Sequence, residues 1–298
     1  MNFPSFDNRG RISRCSATLR RTRPISPGTW ESQMGHTRLG TIPKTQQWKD
    51  IVGLFTGTTM PGAMTSRANV AAIAAKTLDA TEEGLEKATA DPGVRYTFFL
   101  ITQVALASRT REWETTLRKH GVEITTDSTV FDLASQLHDA IDRYVSRTRA
   151  GATDLSEIAQ KSAGEAITSL TASRTGNLFG SETDVRDAVR PLSTKKGFGE
   201  LGQRFFGAFI ARFLNFYLSR VTADGIDPRR TDFRDVAEFN RSLWLHCDQS
   251  ARIVRDFCGE WYSKTEFQRG INLENTSGFL AIAFEKLRNE LKQQKAEM

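Results

Sequence analysis

Residues 246–264, HCDQSARIVRDFCGEWYSK, gather the side chains most able to do chemistry in this chain: His246 beside Cys247, a second thiol at Cys258, and Arg255 between them. A histidine and a thiolate can act as base and nucleophile, and histidine with cysteines can hold zinc. Laid on a helix from about residue 232, however, Leu243, Cys247, Val254, Cys258 and Trp261 fall on one side, with Phe257 beside them. The two cysteines stand roughly 16 Å apart along such a helix, too far to share a zinc ion or a disulfide. Buried, inert thiols are therefore expected. Asp248, Arg252, Asp256, Glu260 and Lys264 form an i, i+4 ladder on the opposite side, expected to be a solvated face. His246 and Arg255 are left as polar candidates, with no carboxylate or nucleophile at productive spacing along the chain.

A second pairing, His138 with Asp139, invites comparison with helical metal phosphohydrolases, which need an upstream histidine and a downstream aspartate converging on the ion. On the helix VFDLASQLHDAIDRYV, His138 lies at the edge of the apolar stripe and Asp139 on its far side, so the two side chains diverge. The one upstream histidine in the folded body is His120, near a helix end. No metal is assigned, and a metal-dependent hydrolase using His138 and Asp139 stands only as an alternative. Glu82, Glu83 and Glu86 cluster on an alanine-rich helix beside Lys76 and Lys87 and read as a solvated face. TGTTMPGAMTS is rich in Gly and Thr, but Gly53 and Gly57 are too close for a phosphate loop, and Thr58 stands where lysine is required. No cofactor and no catalytic residue are expected.

The elements that would position these residues are helices. A short amphipathic helix from about Thr45 precedes SRANVAAIAAKTLDATEEGLEKATA, with Val70, Ile73, Leu78 and Leu85 inward, ending at Asp91, Pro92 and Gly93. The next spans about residues 93–119, with Gly121 as its C-cap; its apolar part, residues 96–108, is too short and too polar at its flanks to cross a membrane. The stripe Val130, Phe131, Leu133, Ala134, Leu137, Ile141, Tyr144 and Val145 marks another helix. A capping box from Asp154 to Glu157 starts the one after it, and SETDVRDAVRPL supplies a short one. GFGELGQRFFGAFIARFLNFYLSRV is the most apolar segment, expected to be the central helix of the core, with part of a subunit interface as the alternative; Gly207, Ala208 and Ala211 are small enough there for a second helix to approach closely. The last helix carries Phe279, Ile282, Ala283, Leu287 and Leu291 and either docks on the core or meets a partner. The fold expected is all-α, a single domain of about eight to ten helices over residues 45–298, with no convincing strand pair.

The N-terminal stretch, residues 1–44, contains Arg9, Arg11, Arg14, Arg20, Arg21, Arg23, Arg38 and Lys44 against only Asp7 and Glu31, and thereby carries the entire formal charge of +6. Without apolar periodicity it is expected to be disordered. It reads in three ways: an arm whose arginines contact nucleic acid, a solvated tail, or sequence upstream of a start at Met34. The last would expose Gly35 as a terminus for modification or recognition, although Leu39 spoils a myristoylation signal. The 3 cysteines are an odd number, and no signal-peptide pattern opens the chain, which points to a reducing cytoplasm.

HCDQSARIVRDFCGEWYSK near the end, FFGAFIARFLNFYLSR about thirty residues before it, and IPKTQQWKDIVGLF at the front together resemble a group of uncharacterised bacterial all-helical proteins. Such proteins look like accessory members of multi-gene conflict or antiphage defence loci. The resemblance covers residues 34–298 and implies a partner-dependent role; it carries over no catalytic residue. The functional expectation is a non-enzymatic scaffold, adaptor or modification-substrate subunit of a bacterial multi-protein system, with a protein partner and no membrane association. Nucleic-acid binding through the arginine-rich tail is the alternative.

Overall fold

Apolar residues recur along this chain at helical spacing, and the computed structural model, which describes residues 43–56, 66–172, 185–225 and 233–293, is helical wherever it is regular. Among the described residues there is no strand. The chain divides into Met1–Met34 and Gly35–Met298, and every described residue lies in the second unit.

Local chemistry sets most boundaries. After α1 (Gln46–Thr56), the expected helix from Ser66 is two helices, α2 (Arg67–Ala80) and α3 (Glu82–Ala90). They part at Thr81, whose hydroxyl turns back to donate to the Thr77 carbonyl at 2.7 Å. The expected helix over about 93–119 is likewise split into α4 (Pro92–Ala107) and α5 (Trp113–Arg118). Here the hydroxyls of Ser108 and Thr110 take the carbonyls of Ala105 and Ala107 at 2.7 and 3.0 Å, competing with continuation of the helix. Gly121, at φ +81°, ends α5 as expected. Its N–H donates to the Arg118 carbonyl and that of Val122 to Leu117, the two bonds of a Schellman stop.

Asp91 does more than end α3. Its Oδ1 accepts from the N–H groups of Gly93 and Val94 at the start of α4, at 2.8 and 3.0 Å, and its Oδ2 accepts from the Thr153 hydroxyl at 2.7 Å. Thr153 is itself the N-cap of α7 (Asp154–Thr171), and its capping box closes on Ser156. The box thus lies one residue earlier than Asp154 to Glu157, because the threonine hydroxyl, already oriented by Asp91, is the better placed acceptor. One buried carboxylate joins the starts of two helices. Asp91→Ala is expected to lose about 2 to 4 kcal/mol, the sum of a cap and an orphaned buried hydroxyl, with Asp91→Asn losing less; chemical denaturation measures both.

Two packing expectations need correction. In α6 (Val130–Val145) Val130, Leu133, Leu137, Ile141 and Val145 of the stripe are buried and Ala134 and Tyr144 half-buried, but Phe131, at the edge of the stripe, is 45% exposed. Glu82 is no free solvated residue: it accepts from Arg288 of α12 (Leu273–Gln293) at 2.7 Å, while Lys292 of the same helix meets Asp79 at 3.0 Å. These pairs clamp α12 to α2 and α3, and Phe279, Ala283, Leu287 and Leu291 are buried beneath it. Its Ile282 remains outside.

After α8 (Val185–Val189) and a 3₁₀ turn (Arg190–Ser193), α9 (Lys195–Gly225) runs through the middle of the unit, as its aromatic content implied. α7 packs along it, as do α10 (Phe233–Ser250) and α11 (Arg255–Arg269). The latter two lie antiparallel to α9. A Cβ on Gly207 would stand 2.9 Å from Asp248 Cα, one on Gly199 2.7 Å from the Arg255 oxygen, and one on Gly259 2.4 Å from the Lys195 oxygen. Missing side chains therefore let the backbones approach, which the small residues around Gly207 foretold. At the centre Phe98 of α4 touches the rings of Phe198, Phe205 and Phe206 from α9, Trp261 from α11 and Phe279 from α12, with centroids 5.2 to 6.0 Å apart. Among the described residues no helix is long and apolar enough to cross a membrane.

Candidate functional site

The helix expected to run unbroken from residue 232 is interrupted by a 3₁₀ turn, Ala251–Val254, between α10 and α11. Just before it, the Ser250 hydroxyl donates to the His246 carbonyl at 2.9 Å. Arg252, Asp256 and Lys264 of the ladder are exposed, as expected, while Asp248 and Glu260 are drawn into contacts with α9. Asp248 pairs with Arg204 of α9 at 2.9 Å, and Glu260 pairs with both Lys195 and Lys264. Those two ammonium groups, Lys195 first, hold the Glu260 carboxyl down to about 2. Arg255 also has a carboxylate partner, Glu200 of α9 at 2.8 Å, supplied by a helix about fifty residues away in the chain, beyond what sequence spacing reveals.

Together these elements form a cleft of about 580 Å³ between the first turn of α9 and the 3₁₀ turn leading into α11. Lys195 and Lys196 line it from α9, Arg252 and Arg255 from the other side, with Asp256 as the one carboxylate and Gly199 and Gly259 between them. Lys195 and Arg255 are balanced by Glu260 and Glu200 just outside the lining, and Lys196 and Arg252 remain without an ion pair among the described residues, beside the single lining carboxylate Asp256. The sequence had not singled out Lys195 and Lys196; Arg252 is exposed, as expected, and lines the cleft too. The available signal was the pair of lysines immediately before the glycine-rich start of the most apolar helix.

The other candidates are not brought together. His138 Nε2 lies 3.1 Å from the Gln160 carbonyl oxygen, which can only accept, so Nε2 carries the proton and its lone pair is unavailable to a metal. Asp139 is exposed on the next position, and Gln160 donates instead to Asp142 at 2.6 Å. Among the described residues no three His, Cys, Asp or Glu side chains are grouped as a metal centre requires. Cys247 and Cys258 are buried as expected, and burial pushes both thiols well above their ordinary range, so neither is a thiolate near neutrality. His246, next to Cys247 in the chain, is buried too. Gly35, the tail residues Arg9, Arg11, Arg14, Arg20, Arg21 and Arg23, and most of the TGTTMPGAMTS stretch lie outside the described residues.

Exposed apolar side chains form a second feature. Ile253, in the 3₁₀ turn, and Ile282, on α12, are 46% and 47% exposed. Each lies within one helical turn of Phe257 or Phe279, two rings stacked 5.0 Å apart, and the Lys286 ammonium sits 5.5 Å above Phe257. No protein family matches the chain, and neither a curated protein nor a solved structure does.

Proposed function

We propose that the protein is a non-enzymatic adaptor, an accessory subunit of a multi-protein system, which binds a protein partner through the face bearing Ile253, Phe257 and Ile282. The observation that carries this reading is the exposure of two large aliphatic side chains beside one aromatic stack. Isolated apolar residues are normal on a surface; several around one stack favour association. Lys286 at the edge of the face specifies the occupant: a helix of another protein with an apolar row and an acidic side chain to meet the ammonium.

Co-purification of the full chain from its native host, compared with an Ile253→Glu, Ile282→Glu variant, tests the proposal. The unaltered protein should elute with a stoichiometric partner of different sequence, and the variant alone, with a melting temperature within about 2 °C because both positions are already half exposed. A free monomer, a homodimer, or a variant that keeps the partner would each overturn the assignment.

A further inference from the structure

We infer that the cleft at the start of α9 is a binding site for an oligophosphate, two or more linked phosphoryl groups such as pyrophosphate or the phosphate tail of a nucleotide. This goes beyond the adaptor reading and stands independently of it, since it rests on different side chains. Lys195 and Lys196 reach the cleft from α9, and Arg252 and Arg255 from the segment facing it. Two of the four are held in position: Arg255 by Glu200 at 2.8 Å and Lys195 by Glu260. Lys196 and Arg252 form no ion pair among the described residues, even though Asp256 follows Arg252 by one helical turn. Like charges arranged across one opening repel each other, and an anion placed between them relieves that repulsion.

The chemistry of the walls selects the class of anion. Guanidinium groups offer planar forks that match phosphoryl oxygens, and ammonium groups add point charges. Apart from two glycines every side chain lining the cleft ends in a charge, so the charged part of a ligand is what the lining can recognise. The space, about 580 Å³, exceeds what a single phosphate fills and places cations on both sides of it. Glu200 and Glu260 balance Arg255 and Lys195, and Asp256 adds one negative charge, so the cations left to meet a ligand directly are Lys196 and Arg252. Close backbone contact at Gly199 and Gly259 holds the two sides at a set separation, so the site needs little reorganisation on binding.

Isothermal titration of the full chain with pyrophosphate and a nucleoside triphosphate decides the matter, with inorganic phosphate, sulfate and a single-stranded RNA oligonucleotide as comparisons. Pyrophosphate and the triphosphate should bind more tightly than either single anion. The Lys196→Ala, Arg252→Ala variant, which breaks no ion pair of the described structure, should bind them about tenfold or more weakly at an unchanged melting temperature. Lys119→Ala, an exposed lysine elsewhere, should bind like the unaltered protein. Equal affinity for pyrophosphate and triphosphate identifies the phosphate chain alone as the ligand; a tighter triphosphate adds the nucleoside, and both outcomes support the site. No heat with millimolar pyrophosphate, unchanged affinity in the double variant, or phosphate binding as well as pyrophosphate would each refute it. RNA binding more tightly than the small anions, with the same sensitivity to the double variant, would replace it with a nucleic-acid site.

Discussion

Replacing Phe98 by alanine should cost about 3 to 5 kcal/mol, a large share of the total stability of an ordinary domain. Phe98 is fully buried, and its ring meets aromatic rings from three other helices. Removing it opens a void that the surrounding rings can fill only by leaving favourable rotamers, because close-packed aromatic clusters collapse poorly. The neighbouring Phe99 lies on another side of α4, near Tyr96 and His120, and its replacement should cost less. Phe267 is 92% exposed, and Phe267→Ala should change stability by no more than about 0.5 kcal/mol. Urea unfolding of the three variants gives the order directly. A loss below about 1.5 kcal/mol for Phe98→Ala would mean that this ring is not at the centre of the packing.

Such centrality was only half legible in the sequence. The periodicity of residues 198–217 identified α9 as an inner helix, because a face that wide and aromatic has to be buried somewhere. Nothing local distinguished Phe98 from Phe99, since which of two adjacent phenylalanines meets α11 and α12 depends on the tertiary arrangement. The same limit applies to the ends of helices. Gly121 was readable because an αL stop demands a residue without a Cβ. The breaks at Thr81 and Ser108 were not, because a hydroxyl that turns back on its own helix looks like any other helical serine or threonine.

The cleft shows why sites defined by electrostatics are harder to read than cores. Burial of Cys247 and Cys258 followed from their spacing with Leu243 and Val254, a property of one segment. Arg255 acquires its meaning from Glu200, and Lys195 from Glu260, both across the α9–α11 contact. Arg252 and Asp256 stay exposed, as the ladder implied, and line the cleft as well. Distances along the chain carry no information about either pairing. What the sequence did record was the means of bringing the walls together: glycines at helical spacing within an otherwise bulky apolar helix.

Gly259 puts that means to a test, because Gly259→Ala should be destabilising where helix propensity alone predicts a gain. Within a helix the exchange ordinarily contributes up to about 1 kcal/mol in favour of alanine. At Gly259, however, the new Cβ would lie 2.4 Å from the Lys195 carbonyl oxygen, a backbone atom that moves only if α9 and α11 separate. Overpacking of this kind costs about 1 to 3 kcal/mol and sometimes more, so a net loss of about 2 kcal/mol is expected. Gly278 is also inside a helix, but nothing lies within 4 Å of its would-be Cβ, and Gly278→Ala should therefore stabilise the protein by about 0.5 to 1 kcal/mol. The same chemical change thus has opposite signs at two helical glycines, read as melting temperatures falling in one variant and rising in the other. If both rise, the α9–α11 contact is looser than described and the cleft has no set width. If Gly259→Ala falls while Gly278→Ala rises, the glycine seam is what holds the cations of Lys195 and Arg255 at their spacing, and the same variant should bind pyrophosphate less well than its residual fold would otherwise allow.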